Sequence, residues 1–224
     1  MGLSPVEREI LAEGLEAFGW GLGDAQVAGL GAYVEVLETW RRRANLVSAT
    51  GREEIVRRHV VDSLAAAGRL RAMGAVRVLD VGSGAGLPGV PLAIACPAAR
   101  VTLLEPRRKR VSFLRAVARE CFTWNIQVAE GRAQDLVARA GEPWDIVVSR
   151  ATFPPAGLPE EVEPLMAPGG TLIAYATEKT PVEQLSHPAY AGPAVEEYRV
   201  PGHPATFRLL VWRHGIGDRE RGRR

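Results

Sequence analysis

The apolar positions along this 224-residue chain change period once, near residue 72. Up to that point they recur at helical spacing. Val6, Ile10, Leu11, Leu15 and Phe18 form one stripe behind Ser4-Pro5-Val6-Glu7, a capping box with proline in the first turn. Val27, Leu30, Tyr33, Val34, Leu37 and Trp40 form a second stripe, with Asp24 placed to cap it. Thr50-Gly51-Arg52-Glu53 predicts a third helix start, running on through Ile55, Val56, His59, Val60 and Leu64.

Beyond residue 75 short apolar runs alternate with helical ones. Strands are predicted over 76–81, 100–105, 126–130, 145–149, 170–176 and 206–212. Regular strand–helix alternation predicts an α/β fold, a mostly parallel sheet with helices on both faces. The last strand follows a long connection and can pair antiparallel. Proline-rich connections fall at 153–168 and 181–204. The expected organisation is a helical extension over 1–72, an α/β domain over 73–212 and a flexible basic tail over 213–224.

Composition narrows the picture only slightly. A formal charge of +2 permits nucleic-acid binding without demanding it. Cys96 and Cys121 lack metal-ligand spacing and sit in apolar surroundings, so buried, reduced thiols are expected. His59, His187, His203 and His214 form no ligand cluster, so no metal is expected. No apolar run is long enough to cross a membrane, and the first residues carry no signal-peptide core. The expectation is a cytoplasmic monomer. Trp20, Trp40, Trp124, Trp144 and Trp212 fall mostly on apolar periodic positions and are expected in the core.

The chemistry concentrates in Asp80-Val81-Gly82-Ser83-Gly84-Ala85-Gly86-Leu87-Pro88-Gly89, a glycine-rich turn between a strand and a helix. Such a turn admits a ligand close to the backbone. Gly82, Gly84 and Gly86 fit the acid-x-Gly-x-Gly-x-Gly loop that binds S-adenosylmethionine; Gly84, Gly86 and Gly89 also fit the dinucleotide fingerprint. Glu105 ends the next strand, where a ribose-binding acid belongs in either case. Asp80 favours the methyl donor, because a carboxylate opposes a pyrophosphate but suits an ammonium and a sulfonium. Pro88 agrees, since it removes an N–H that a phosphate would use. A turn that only packs strand on helix stays open.

Arg150 follows the fourth strand in Ser149-Arg150-Ala151. Methylation of an exocyclic amine commonly uses Asp/Asn-Pro-Pro-aromatic at that point, and it is not there; Phe153-Pro154-Pro155 is displaced and reads as a turn. Guanine N7 presents a lone pair and has no proton to lose, so alignment suffices. Arginine suits a guanine O6/N7 edge or a phosphate, and an ion pair with a nearby acid is the alternative. His59 and Asp62 share a helix face, either over the methionine end of the donor or as a polar brace from helix to sheet. In Arg107-Arg108-Lys109-Arg110, only some of the cations can face RNA.

These residues resemble the family of ribosomal RNA small-subunit methyltransferase G, also called glucose-inhibited division protein B. The resemblance runs from about Asn45 to Gly170. It rests on Asn45-Leu46, the block from His59 to Leu64, the Asp80–Gly89 loop, Lys109-Arg110-Val111-x-Phe113-Leu114, Gly131-Arg132-Ala133 and Ser149-Arg150-Ala151. It implies a class I S-adenosylmethionine-dependent methyltransferase with a Rossmann-like, mostly parallel seven-stranded sheet and an N-terminal helical extension. The donor would meet Gly82, Leu87, Ala133, Gln134 and Arg150, beside the loop residues Asp80, Gly84 and Gly86 and the acid Glu105. The substrate would be a guanine N7 in small-subunit (16S) ribosomal RNA, with His59, Asp62, Lys109 and Arg110 on its side. Three positions depart from the family's habit: Ala133-Gln134 replaces Ala-Glu, Tyr175 to Lys179 replaces a short Lys-Gly ending, and 213–224 replaces Tyr-Pro-Arg. A same-fold enzyme acting on a small molecule or protein is the alternative; a nicotinamide-dependent oxidoreductase ranks third.

Overall fold

The computed structural model describes residues 2–44, 46–47, 51–74, 76–121, 123–139, 141–150, 154–183 and 185–215. The first helix, α1 (Pro5–Ala17), starts as its sequence predicts. The Ser4 hydroxyl accepts from Glu7 N while the Glu7 carboxylate accepts from Ser4 N. That carboxylate also takes Arg52, which ties α1 to the third helical segment. The second helix, α2 (Asp24–Ala44), starts one residue earlier than expected: Gly23 O accepts the first amides, and the Gln26 side chain reaches back to Gly23 N.

The third segment is one continuous run with an irregularity in its middle. It passes through α3 (Arg52–Ile55), a π-helical turn (Val56–Val61) and α4 (Asp62–Leu64). Gly51 sits at its start without a side-chain cap, and Thr50 lies outside the described residues. A π turn widens the helix by one residue per turn and re-aims the side chains beyond it. Here it sets the positions of His59, Asp62 and Ser63. Gly14 of α1 packs against this turn so closely that a Cβ there would run into Val61. Next comes α5 (Ala67–Met73).

From there strands and helices alternate: β1 (Arg77–Val81), α6 (Gly89–Ala95), β2 (Arg100–Glu105), α7 (Arg108–Glu120), β3 (Ile126–Glu130), α8 (Ala133–Val137), β4 (Trp144–Arg150), α9 (Leu158–Val162), β5 (Met166–Thr177), β6 (Tyr190–Arg199) and β7 (Thr206–His214). They form one seven-stranded sheet in the order β3-β2-β1-β4-β5-β7-β6. Pairs among β1 to β5 are parallel, and β7 runs antiparallel to both β5 and β6. Alternate strand residues face opposite layers. Val78, Ile146, Val148 and Ile173 join the layer shared with the N-terminal helices, α6 and α7, while Leu79, Val147, Leu172 and Trp212 join the layer under α8 and α9.

Two expectations are corrected. The stretch expected as a proline-rich connection contains β6, a largely exposed edge strand whose polar face gives no apolar alternation. Its register with β7 breaks between Ala191 and Ala194, around Pro193, where an edge tolerates a missing donor. Trp124 is 80% exposed. It occupies the turn between α7 and β3, where the neighbouring Asn125 turns inward to donate to Ala93 O and Ala99 O. The other four tryptophans pack on the core clusters, and both cysteines are buried and free. Among the described residues no helix is long and apolar enough to cross a membrane.

Candidate active site

The turn after β1 is fixed from three directions. Gly82, Gly84 and Gly86 have φ of 72°, 56° and 81°, left-handed values that a side chain would strain. Gly82 N and Ser83 N both donate to Leu104 O at the end of β2, which pins the turn to the sheet. Glu105 then accepts from Gly84 N at 2.9 Å through Oε2 and from Arg107 N at 2.9 Å through Oε1. From the other side the buried Tyr33 hydroxyl of α2 donates to Ala85 O at 2.7 Å. The helical extension therefore helps to shape the loop.

Asp80 lies beneath this loop instead of on its open face. Its Oδ2 accepts from Gly89 N at 3.0 Å, and its Oδ1 is buried without a partner. Burial pushes the carboxyl up to about 7, against the pull of the Gly89 amide. A Cβ on Gly89 would collide with Leu103 and Asp80, so that glycine lets α6 start directly on the strands. The direct electrostatic contact expected of Asp80 is thus not what the packing provides; the acid holds the loop's last residue.

Two cavities open at the carboxyl ends of the parallel strands, where an open α/β sheet binds its ligands. The larger, about 430 Å³, is lined by Leu46, His59, Gly82, Gly84, Leu87, Glu105, Arg107, Arg110 and Arg150, among others. The smaller, about 200 Å³, shares Gly82 and Pro106 with it and continues between Val81, Leu104 and Ala133 to Gln134 and Glu161. Gly86, Asp62 and Lys109 line neither. Arg110 Nη1 stands 4.0 Å from Glu105 Oε2.

Arg150 reaches the larger cavity as the last residue of β4. Its Nη1 donates to Asp62 Oδ2 at 2.7 Å, and its Nη2 lies 3.5 Å from His59 Nδ1. Asp62 Oδ1 accepts from the Tyr198 hydroxyl of β6 at 2.5 Å, and the Tyr175 hydroxyl of β5 donates to Ser63 O at 2.6 Å. Burial, reinforced by Asp62, raises the Tyr198 hydroxyl far above its ordinary range, so it stays a donor. Burial and the Arg150 charge lower His59 to about 4, so its ring is neutral at pH 7. Both alternatives weighed from sequence, an ion pair for Arg150 and a helix-to-sheet brace for Asp62, are realised. Arg150 lines the cavity all the same, because an arginine head has donors on more than one edge.

Tyr33, Tyr175, Tyr198 and Glu161 were not legible as site residues. Each reaches the site from an element that no local motif marks. The basic run contributes Arg107 and Arg110 to the lining and leaves Arg108 and Lys109 exposed.

A sheet of this order, a glycine turn after β1 and an acid closing β2 define the fold of class I S-adenosylmethionine-dependent methyltransferases. Solved structures agree on that fold. A precorrin-6y C5,15-methyltransferase from Geobacter metallireducens matches with a TM-score of 0.53, 16% identity, and coverage of 67% of this chain and 86% of that one. A 1,6-didemethyltoxoflavin-N1-methyltransferase from Burkholderia thailandensis, solved with S-adenosylhomocysteine, matches with a TM-score of 0.52, 14% identity, and coverage of 69% and 78%.

Within that class the chain belongs to the rRNA small subunit methyltransferase G family, whose model matches residues 26–203. The ribosomal RNA small subunit methyltransferase G of Alkalilimnicola ehrlichii is 36% identical over 203 residues, 90% of each chain. That of Ralstonia nicotianae is 34% identical over 211 residues, 91% of this chain and 94% of its own.

Proposed function

We propose that this protein transfers the methyl group of S-adenosylmethionine to N7 of a guanine in small-subunit (16S) ribosomal RNA. The cavities suit that donor. Gly82, Gly84 and Glu105 line the larger cavity, where the glycines bring backbone without side chains, and the smaller one sets Val81, Leu104, Pro106 and Ala133 beside Arg132, Gln134 and Glu161. Gly82, Gly84, Leu87 and Glu105 would hold the donor's amino-acid and ribose portions, and Ala133 and Gln134 its base. When bound, S-adenosylmethionine supplies a methyl group on a positively charged sulfur.

The observation that carries the choice of N7 is the lack of a poised base among the described residues of the larger cavity. Glu105 already accepts from two backbone amides, and His59, lowered to about 4, is too weak a base to draw a proton from an exocyclic amine. A nucleophile that has no proton to lose needs neither. Arg150 instead presents a fixed positive charge held by Asp62, which suits the O6/N7 edge of guanine or a flanking phosphate. Arg107, Arg108 and Lys109 extend this charge across the exposed surface beside the cavity, where RNA phosphates would lie.

Incubation with deproteinised small-subunit RNA and labelled donor, followed by chemical cleavage at 7-methylguanosine, tests the reading. A single cleavage site and a rate nearly flat through the neutral pH range are expected. A rate climbing tenfold per pH unit would point to an N–H acceptor, and label appearing only in small molecules or protein would overturn the RNA substrate.

A further inference from the structure

The outer face of α7 is a line of arginines that leads away from the site. Val111, Phe113, Leu114 and Val117 bury the inner face of the helix, while Arg108, Ser112, Arg115 and Arg119 are exposed. Those four recur at i, i+4, i+7 and i+11, which is a single line along a helix. The line starts beside Arg107, in the wall of the larger cavity, and runs about 17 Å at 1.5 Å per residue. Arg108 lies 3.2 Å from Glu130 and Arg119 lies 3.4 Å from Glu120. Contacts between such exposed groups are weak, so another anion can take their place.

Trp124 follows just past the end of the helix. It is the most exposed large apolar side chain among the described residues, whereas tryptophan is normally mostly buried. The backbone beneath it is held on both sides. Thr123 Oγ1 donates to Ala118 O at 3.4 Å, and Asn125 Nδ2 donates to Ala93 O at 2.9 Å and Ala99 O at 3.0 Å. The indole is thus offered to solvent from a fixed turn. Charge also separates the two layers of the sheet: α9 and the turn after it carry Glu160, Glu161 and Glu163 and no cation. A polyanion leaving the cavity is repelled on that side and attracted along α7.

We propose that Arg115, Arg119 and Trp124 form a second RNA contact, outside the cavity, that takes a single-stranded segment. This inference rests on the RNA reading above and extends it to a surface remote from the methyl donor. A row of cations that tracks phosphates, closed by an aromatic ring on which a base stacks, is what unpaired RNA requires. Its function is to hold the RNA, and it touches neither donor nor target base.

Anisotropy of a labelled small-subunit RNA fragment across a KCl series tests the surface. Replacing both arginines, Arg115→Gln with Arg119→Gln, should raise Kd about tenfold at low salt and lower the log–log slope by a little over one unit. Trp124→Ala should raise Kd roughly tenfold with the slope unchanged, and Trp124→Phe, which keeps a ring face, should recover most of that loss. The three positions are exposed, so melting temperature and S-adenosylhomocysteine affinity should match the parent's. Methyl transfer should show a raised KM for RNA at unchanged kcat. RNA affinity and slope equal to the parent's in every variant would overturn the surface and leave the methyltransferase reading standing. Weaker binding to whole small subunits, but not to deproteinised RNA, would assign the face to a ribosomal protein and overturn it as an RNA contact. A parent that neither binds nor methylates the RNA would overturn the substrate reading, and this surface with it.

Discussion

The parallel half of the sheet and its antiparallel half contribute to the site in different ways. Around β1 and β2 most hydrogen bonds that shape the loop are short in sequence: Ser83 to Asp80, Gly89 to Asp80 and Gly84 to Glu105 span 3, 9 and 21 residues, and Tyr33 to Ala85 adds one across 52. The antiparallel side works at long range. Tyr198 of β6 reaches Asp62 across 136 residues, and Tyr175, on the strand β7 pairs with, reaches Ser63 across 112. One half makes the loop; the other fixes the helix turn against which Arg150 is held. A local cradle can be written in a motif, whereas the aim of Arg150 depends on the whole chain having folded.

The strongest way to test the local half is pH. The folded carboxyl of Asp80 sits at about 7, above its ordinary 3.8, because burial penalises its charged form. For a carboxyl, a folded pKa above the unfolded one means that the folded state keeps the proton to higher pH. This stabilisation is complete below the unfolded pKa and fades as pH rises through about 7. Parent stability relative to Asp80→Asn, measured by urea unfolding, should fall between pH 4 and pH 8 by on the order of 4 kcal/mol, because His59, held at about 4, adds an opposite rise over pH 4 to 6.5 that both proteins share. Asp80→Asn retains an acceptor for Gly89 N and should flatten that contribution. Equal slopes for parent and variant would mean that the Asp80 environment is wetter than its packing indicates.

The long-range half is tested by a smaller change. Tyr198→Phe removes the hydroxyl that donates to Asp62 and keeps the ring stacked on Phe207. A hydrogen bond to a charged acceptor is worth about 2 kcal/mol, so the variant should melt several degrees lower. Affinity for S-adenosylhomocysteine should not change, because Tyr198 lines neither cavity. Methyl transfer at saturating donor should slow by a few-fold as Asp62 loses one of its two holders. A slower rate that tracks weaker donor binding would erase the distinction between the halves.

The same contrast explains what the sequence disclosed. Strand–helix alternation, the glycine turn and the acid at Glu105 are local patterns, and they predict the sheet's parallel part and its ligand edge. The cap at Ser4 is legible for the same reason. β6 is not, because an edge strand buries too little to impose alternation. The π turn leaves no mark either, since the apolar spacing through Val56, Val60 and Leu64 is compatible with an ordinary helix. The place of Asp80 in a motif suggests a ligand contact, and only the approach of Gly89 reveals it as a support under the loop. The partners of Asp62 could not be paired by spacing at all.

The smallest effect concerns the C-terminal residues, expected from sequence as a basic arm near RNA. β7 sets Phe207 beside Thr177, at the ligand end of the sheet, and Arg213, its next-to-last residue, opposite Thr171. Six strand residues separate those points, about 20 Å along the sheet. Arg213 donates to Thr171 and His214 lies against Ala167 O, so the chain reaches residue 215 at the edge away from Arg150. Residues 216–224 lie outside the described residues, and only binding can report on them. Arg107, Arg108 and Lys109, by contrast, stand exposed at the cavity's edge. Each phosphate deprived of its cation should lower the log–log salt slope of RNA affinity by a little under one unit. Replacing those three cations with glutamine should lower it by about two, and deleting 216–224 by less than one, with S-adenosylhomocysteine affinity intact in the deletion. Fluorescence anisotropy of a labelled small-subunit RNA fragment across a KCl series reads both slopes. A deletion that flattens the slope as much as the triple replacement would put the arm back on the RNA, and with it the antiparallel half in a direct role.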